Sequence, residues 1–119
     1  MKVVAPKVQG LLEQFEGDNA AGVRLLAIAI LTMFPSAAHL EWLAARLNPE
    51  AEKPFVAYHA AVALLDAVVN LPAENCAVLA STVSKAKDLA SRLRSDPDRL
   101  NVLAQAEREL RMKCSGGTG

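Results

Sequence analysis

The chain has 119 residues, 52% of them apolar and only 4% aromatic, with 13 Lys/Arg balanced by 13 Asp/Glu. That is one domain, long enough for a real core, too apolar for a disordered tail and too poor in rings for a β-sandwich. The charge is uneven, with five Lys/Arg against eight Asp/Glu in residues 1–84 and eight against five in 85–119, but mixed signs of this size describe solvated helix faces.

Helix one is expected over Pro6 to Glu16, where Val8, Leu11, Leu12 and Phe15 keep the spacing of one helical face. Gly17 suits the left-handed residue after a helix end, and Asp18 or Asn19 can cap the next helix. Helix two runs to about Phe34. It is apolar on every side from Leu25 to Leu31, which predicts a helix buried all round at the centre of the fold. Arg24 is expected at its rim, with the stem packed and the head in water.

Pro35 stops helix two, and Ser36 is placed to cap helix three, which runs to Leu47 with Leu40, Leu43, Ala44 and Leu47 inward. Residues 48–54, Asn-Pro-Glu-Ala-Glu-Lys-Pro, read as a loop that cannot pack into a core. Helix four follows from Pro54 to Leu71, with His59, Asp66 and Asn70 in one polar stripe. Helix five opens at Pro72-Ala73 and runs to Leu93, with Leu79, Val83, Ala86, Ala90 and Leu93 inward. Ser95-Asp96-Pro97-Asp98 is a helix start, and helix six extends from Arg99 to Met112. The domain is expected to end at residue 113, with 114–119 a flexible tail.

The segment 22–35 is echoed 37 positions later by 60–72, so that Ile28 falls on Leu65, Leu31 on Val68 and Pro35 on Pro72. The fold class is therefore all-α. The preferred arrangement is a compact bundle of about six antiparallel helices, death-fold-like. The alternative is two stacked HEAT-like hairpins with flanking helices, although two repeats are few for a solenoid.

Catalytic equipment is not assembled. His59 and Asp66 are seven apart on one helix, about 10 Å along its axis, beyond the hydrogen bond that orients a catalytic His. Ser81, Ser84 and Ser91 lack a nucleophile-elbow context, and no Gly-rich loop follows a strand. His39, His59, Cys76 and Cys114 match no zinc spacing, so neither metal nor cofactor is expected. His39 reads as a stacked or surface residue beside Trp42, and the two cysteines as one buried and one exposed thiol of a reduced protein. Residues 1–7 hold no long apolar core and Leu25–Leu31 is too short to span a bilayer, so the expected setting is cytoplasmic, without membrane or nucleic-acid partners. The basic residues Lys85, Lys87, Arg92, Arg94 and Arg99 have no aromatic platforms beside them.

Binding carries more of the signal. Trp42, Arg46, Phe55, Tyr58 and His59 flank the charged 48–54 loop and hold most of the aromatic side chains of the chain. Trp, Tyr and Arg are the residues that anchor interfaces, so this corner is the candidate docking surface, plain gap-filling between hairpins being the competing explanation. A small apolar ligand held among Leu25, Ile28, Val62 and Leu65 is the alternative function.

Three segments carry a family resemblance: Arg-x-Leu-Ala-x-Ala from Arg24 with Pro35, Trp-Leu-Ala-x-Arg from Trp42 to Arg46, and Lys-Pro-Phe-x-x-Tyr-His-Ala-Ala-x-Ala-Leu from Lys53 to Leu64. Over about half the chain this resembles the small helical adaptor modules of bacterial conflict proteins, which accompany caspase-like, trypsin-like, TIR or NTPase effector domains. The resemblance implies a non-catalytic recruitment module that binds another protein, including a like domain, and that forms oligomers.

Overall fold

The computed structural model describes residues 12–17, 20–92 and 97–117. Among them there is no strand. Residues 12–16 form α1, followed by α2 (Ala21–Met33), α3 (Leu40–Ala45), α4 (Pro54–Asn70), α5 (Cys76–Ala90) and α6 (Pro97–Gly117). Short 3-10 turns at Ala37–His39 and Ala73–Asn75 lead into α3 and α5. Both follow a proline, at Pro35 and Pro72, where the chain must leave the preceding helix. The all-helical bundle anticipated from the sequence is the fold observed. The expected start of helix one, the Asp18/Asn19 cap, Leu93, Arg94 and the Asp96 cap lie outside the described residues.

The centre of the bundle is α4, not α2. Ala57, Ala60, Ala61, Ala63 and Ala67 are all fully or almost fully buried on α4, together with Val56, Leu64 and Val68. Five alanines give this helix the best intrinsic propensity and a thin surface, so α2, α3 and α6 pack closely against it. α2 buries only Ala27, Ile28 and Leu31 fully, and its other side stays at the surface. The inward residues read from periodicity in helix three (Leu40, Leu43, Ala44 and Leu47) and in helix five (Leu79, Val83, Ala86 and Ala90) are all in the core.

The bundle is not a stack of sequential hairpins. The largest helix contact joins α4 to α6, whereas α4 and α5, neighbours in sequence, touch only slightly. The HEAT-like alternative needs adjacent helices to pair, and this packing does not have that pattern. α4 and α6 run in parallel, because Asp98 at the start of α6 lies beside Pro54 and Tyr58, and Lys113 near its end lies on the last carbonyls of α4. α5 carries the chain back between them and packs on α3 and α6.

Three devices fasten α6. Arg99, read from sequence as part of a basic face, is 0% exposed and donates from Nη2 to the carbonyl of Ala90 at 3.4 Å, tying the first turn of α6 to the end of α5. At the other end Lys113 Nζ donates to the carbonyl of Val68 at 2.8 Å and to that of Leu71. The last carbonyls of a helix have no partners inside it and lie at its negative end, so an ammonium there serves as a cap from a second helix. Next to it Cys114 is bonded to Cys76, the first residue of α5. This corrects the expectation of two separate thiols. α6 continues through Gly117, and Cys114 packs against the core.

Two caps differ from expectation as well. Ser36 precedes the 3-10 turn but its side chain makes no capping bond, and Gly17 does not adopt the left-handed conformation.

Candidate interaction surface

The five residues singled out from the sequence do not form one patch. The structure separates them into an inner group, Trp42 and Arg46, and an outer group, Phe55, Tyr58 and His59.

The inner group belongs to a chain of polar contacts that closes the bundle between α1, α2, α3 and the 46–53 segment. Asn48 starts it. Its side chain accepts from the amide of Glu50 at 3.0 Å, and its carbonyl accepts from the amides of Ala51 at 2.9 Å and Glu52 at 3.1 Å, a side-chain-stabilised turn of the kind Asn favours. The turn aims Glu52 inward, where its side chain is 1% exposed. Arg24 donates to it twice, from Nε to Oε2 at 2.6 Å and from Nη2 to Oε1 at 2.9 Å, the two-pronged geometry of a strong carboxylate pair. Arg46 Nη1 adds a third bond to Oε2 at 2.8 Å. Burial alone would raise the Glu52 carboxyl above its ordinary value, but the bonds and charges of the two arginines outweigh it and hold the group below.

Arg46 also lies over the Trp42 ring, 5.0 Å from its centroid, and its Nε donates to the Trp42 carbonyl at 3.3 Å. Trp42 in turn donates from Nε1 to the carbonyl of Glu16 at 3.3 Å. The Glu16 carboxylate meets His39 Nδ1 at 2.5 Å. Burial raises the Glu16 carboxyl above the ordinary value, against the pull of His39. Three readings are corrected here. Arg24 has a buried carboxylate partner instead of a head in water, His39 is buried rather than at the surface, and the charged loop contributes Glu52 to the interior. Trp42 and Arg46 are thus held by contacts within the chain.

The outer group stands on the first two turns of α4. Phe55 is 63% exposed and Tyr58 37%. His59 lies between them, its ring edge-on to Phe55 at 4.7 Å and 72° and to Tyr58 at 5.6 Å and 80°. Such perpendicular packing suits the charge distribution of aromatic rings. With Pro54 and Asp98 the three rings line a shallow cleft of about 350 Å³. Side chains lean toward the start of their own helix, which brings the aromatics to the end of the bundle where α4 and α6 both begin. Asp66 lies farther down the helix from His59, and the stripe ends in Asn70, whose side-chain amide donates to the Asp66 carbonyl at 2.9 Å.

The remaining candidates are dispersed. Leu25, Ile28, Val62 and Leu65 do not line the clefts at Ala37–Lys85, Pro54–Asp98, Val68–Lys113 or Ala21–Pro54, and Ile28 is packed in the core. Lys85 faces Glu41 at 3.5 Å, Lys87 grips Glu107 at 2.9 Å and Arg92 faces Asp88 at 3.6 Å, so these cations do not form an open basic stripe. The Lys87 bond holds the Glu107 carboxyl below its ordinary value. Among the described residues no group of three His, Cys, Asp or Glu converges as a metal site would require, and no helix is long and apolar enough to cross a membrane. No family model, no curated protein and no solved structure matches this chain.

Proposed function

We propose that this chain is a non-catalytic protein–protein interaction module whose docking surface is the Phe55–Tyr58–His59 corner. The observation that carries the proposal is the exposure of Phe55 and Tyr58 in a protein with only five Phe, Tyr and Trp residues in all. Large rings held rigidly by a helix and by each other supply contact area with little entropy to lose, which is why such residues dominate interface energetics. The resemblance noted in the sequence supports an adaptor or recruitment role in bacterial defence or signalling. A cytoplasmic setting fits this reading only where the Cys76–Cys114 bond is formed and broken, because such bonds persist chiefly in oxidising surroundings.

The test is selection of binders from a displayed peptide library on the purified chain, followed by titration of each binder against the Phe55→Ala/Tyr58→Ala variant. The variant is expected to keep its circular dichroism spectrum and to bind at least about tenfold more weakly, the loss of one interface anchor of about 1.4 kcal/mol. Binders held equally well by the variant would rule this corner out as the docking surface. Trp42→Ala should behave differently. It removes the Arg46 stack and the bond to Glu16, so the expected result is a lower melting temperature rather than a selective loss of binding.

A further inference from the structure

α2 has two faces of unlike fate and like chemistry. Ala27, Ile28 and Leu31 are buried against the bundle, and Arg24 on the same side reaches Glu52. The opposite face carries Gly22, Leu26, Ala29 and Met33, all exposed, with Leu26 at 54% and Met33 at 62%. A helix that is apolar all round is normally covered all round, and among the described residues nothing covers this face.

We propose that the outer face of α2 is the seam of a two-fold homodimer in which α2 of a second copy lies antiparallel to it. The spacing of the four residues, four then three then four, is that of a coiled-coil seam. Within α2 no charge borders it, although Glu50 and Lys53 share a cleft with Ala21 at its start. Its flanks are Val23, Leu25, Ile30 and Thr32, the Thr32 hydroxyl being turned back onto the carbonyl of Ile28 at 2.9 Å. The one charge on the helix, Arg24, is committed to Glu52. A seam without charge cannot select a charged partner.

Size decides the orientation. The order along α2 is small, large, small, large. An antiparallel copy sets Gly22 against Met33 of the second copy and Leu26 against its Ala29, so each bulky side chain meets a small one at every level. A parallel copy would set Leu26 on Leu26 and leave a gap between the two Gly22 residues. The antiparallel pairing is isologous, each contact occurring twice, as a closed dimer requires. Space for the incoming side chain exists, because a Cβ added at Gly22 would meet nothing within 4 Å.

The 13-residue helix is about 20 Å long. Such a strip is smaller than the roughly 800 Å² per partner of a stable interface, so the dimer is weak and forms where copies are concentrated. Ala21 and Pro54 line one cleft, which puts the Gly22 end of the seam near the aromatic corner. An antiparallel dimer would therefore display its two Phe55–Tyr58 corners at opposite ends.

Sedimentation equilibrium of the wild-type chain from micromolar to millimolar concentration tests this. The expected result is a monomer–dimer equilibrium, with Gly22→Leu and Leu26→Lys each raising the dissociation constant at least tenfold. Gly22→Leu fills the space kept for Met33 of the second copy while improving helix propensity, so its spectrum and dilute-solution melting temperature should be maintained. A chain that stays monomeric throughout, or a dimer indifferent to both substitutions, overturns the proposal. So does a Gly22→Leu variant that melts early at low concentration, since the face would then be covered within its own chain. None of these outcomes bears on the peptide-binding test of Phe55 and Tyr58, which reads a separate surface.

Discussion

Glu52→Gln is expected to lower the free energy of unfolding by about 3 kcal/mol, near the lower end for breaking a buried ion pair, and to move the urea midpoint down by about 1–3 M. The substitution preserves shape, removes the charge and turns one of the two accepting oxygens into a donor amide. Arg24 and Arg46 now converge on one carboxylate that is shielded from water. Without it they would face each other across a neutral amide, with their own water already displaced. The Arg46 stack on Trp42, and through Trp42 the hold on Glu16, would loosen with them. Replacing Arg24, Arg46 and Glu52 together by apolar residues of similar volume should recover much of the loss, because the penalty comes from unpaired charge rather than from the absence of a salt bridge. Glu52 and Glu16 each add a pH dependence of their own. Glu52 is held below its ordinary value, so its contribution is complete above about 4.3 and fades as pH falls through the lower folded-state value. Glu16 is raised, so the fold binds its proton more tightly. Its effect favours folding below about 4.3 and declines as pH climbs through the raised value. Melting temperatures measured against pH should therefore show a shallower acid limb in Glu52→Gln, the share of Glu107 remaining, and should lose the opposing slope just above it in Glu16→Gln.

Helix positions were legible because each is written locally. Prolines at 35, 54, 72 and 97 mark stops and starts, and the inward stripes of α3 and α5 follow from spacing alone. What spacing could not convey is which apolar helix occupies the middle. α2 looks more hydrophobic than α4 along its length, but Leu26 and Met33 make it broad, whereas the alanines of α4 make it thin enough for three neighbours. Burial follows from how closely helices can approach, not from hydrophobicity by itself. The parallel course of α4 and α6 is likewise decided by tertiary packing, since short links between helices suggest antiparallel neighbours at each step.

The candidate site was half legible for a related reason. Residue type identified Trp42, Arg46, Phe55, Tyr58 and His59 as unusual, but type does not say whether a side chain turns in or out. Arg46 turns in because Glu52 waits for it, and Trp42 turns in beneath Arg46 to reach the carbonyl of Glu16; Glu52 was hidden by its sequence neighbours. A stretch with two prolines and three charges reads as solvated, yet Asn48 folds it back so that one charge of the three, Glu52, is buried. An Asn three residues before an Ala and four before a Glu, at the end of a helix, was the available signal. Phe55 and Tyr58 turn out because they sit at the end of α4 that lies beside the start of α6, where little protein remains to cover them.

Reduction of the Cys76–Cys114 bond, or Cys76→Ser with Cys114→Ser, is expected to lower the free energy of unfolding by about 4 kcal/mol, the loop entropy released when a cross-link across 38 positions is lost from the unfolded chain. Thermal denaturation with and without a dithiol reductant reads this directly, and coincident curves would show that the bond contributes nothing to the fold. The position of the bond predicts where the loss begins. Leu110 is the last core residue of α6, and Met112 beyond it is largely exposed. The end of the helix is thus held by the disulfide and by Lys113 on the carbonyls of α4. Without the bond, Lys113 must hold that turn alone, so amide exchange should quicken first in residues 111–117 and at the end of α4, before the core around Ala60, Leu64 and Leu103 responds. Lys113→Met with the disulfide intact separates the two fasteners. It should uncap α4 at a cost of about 1 kcal/mol while leaving the end of α6 anchored through Cys114, whereas reduction of the same variant should free both helix ends at once.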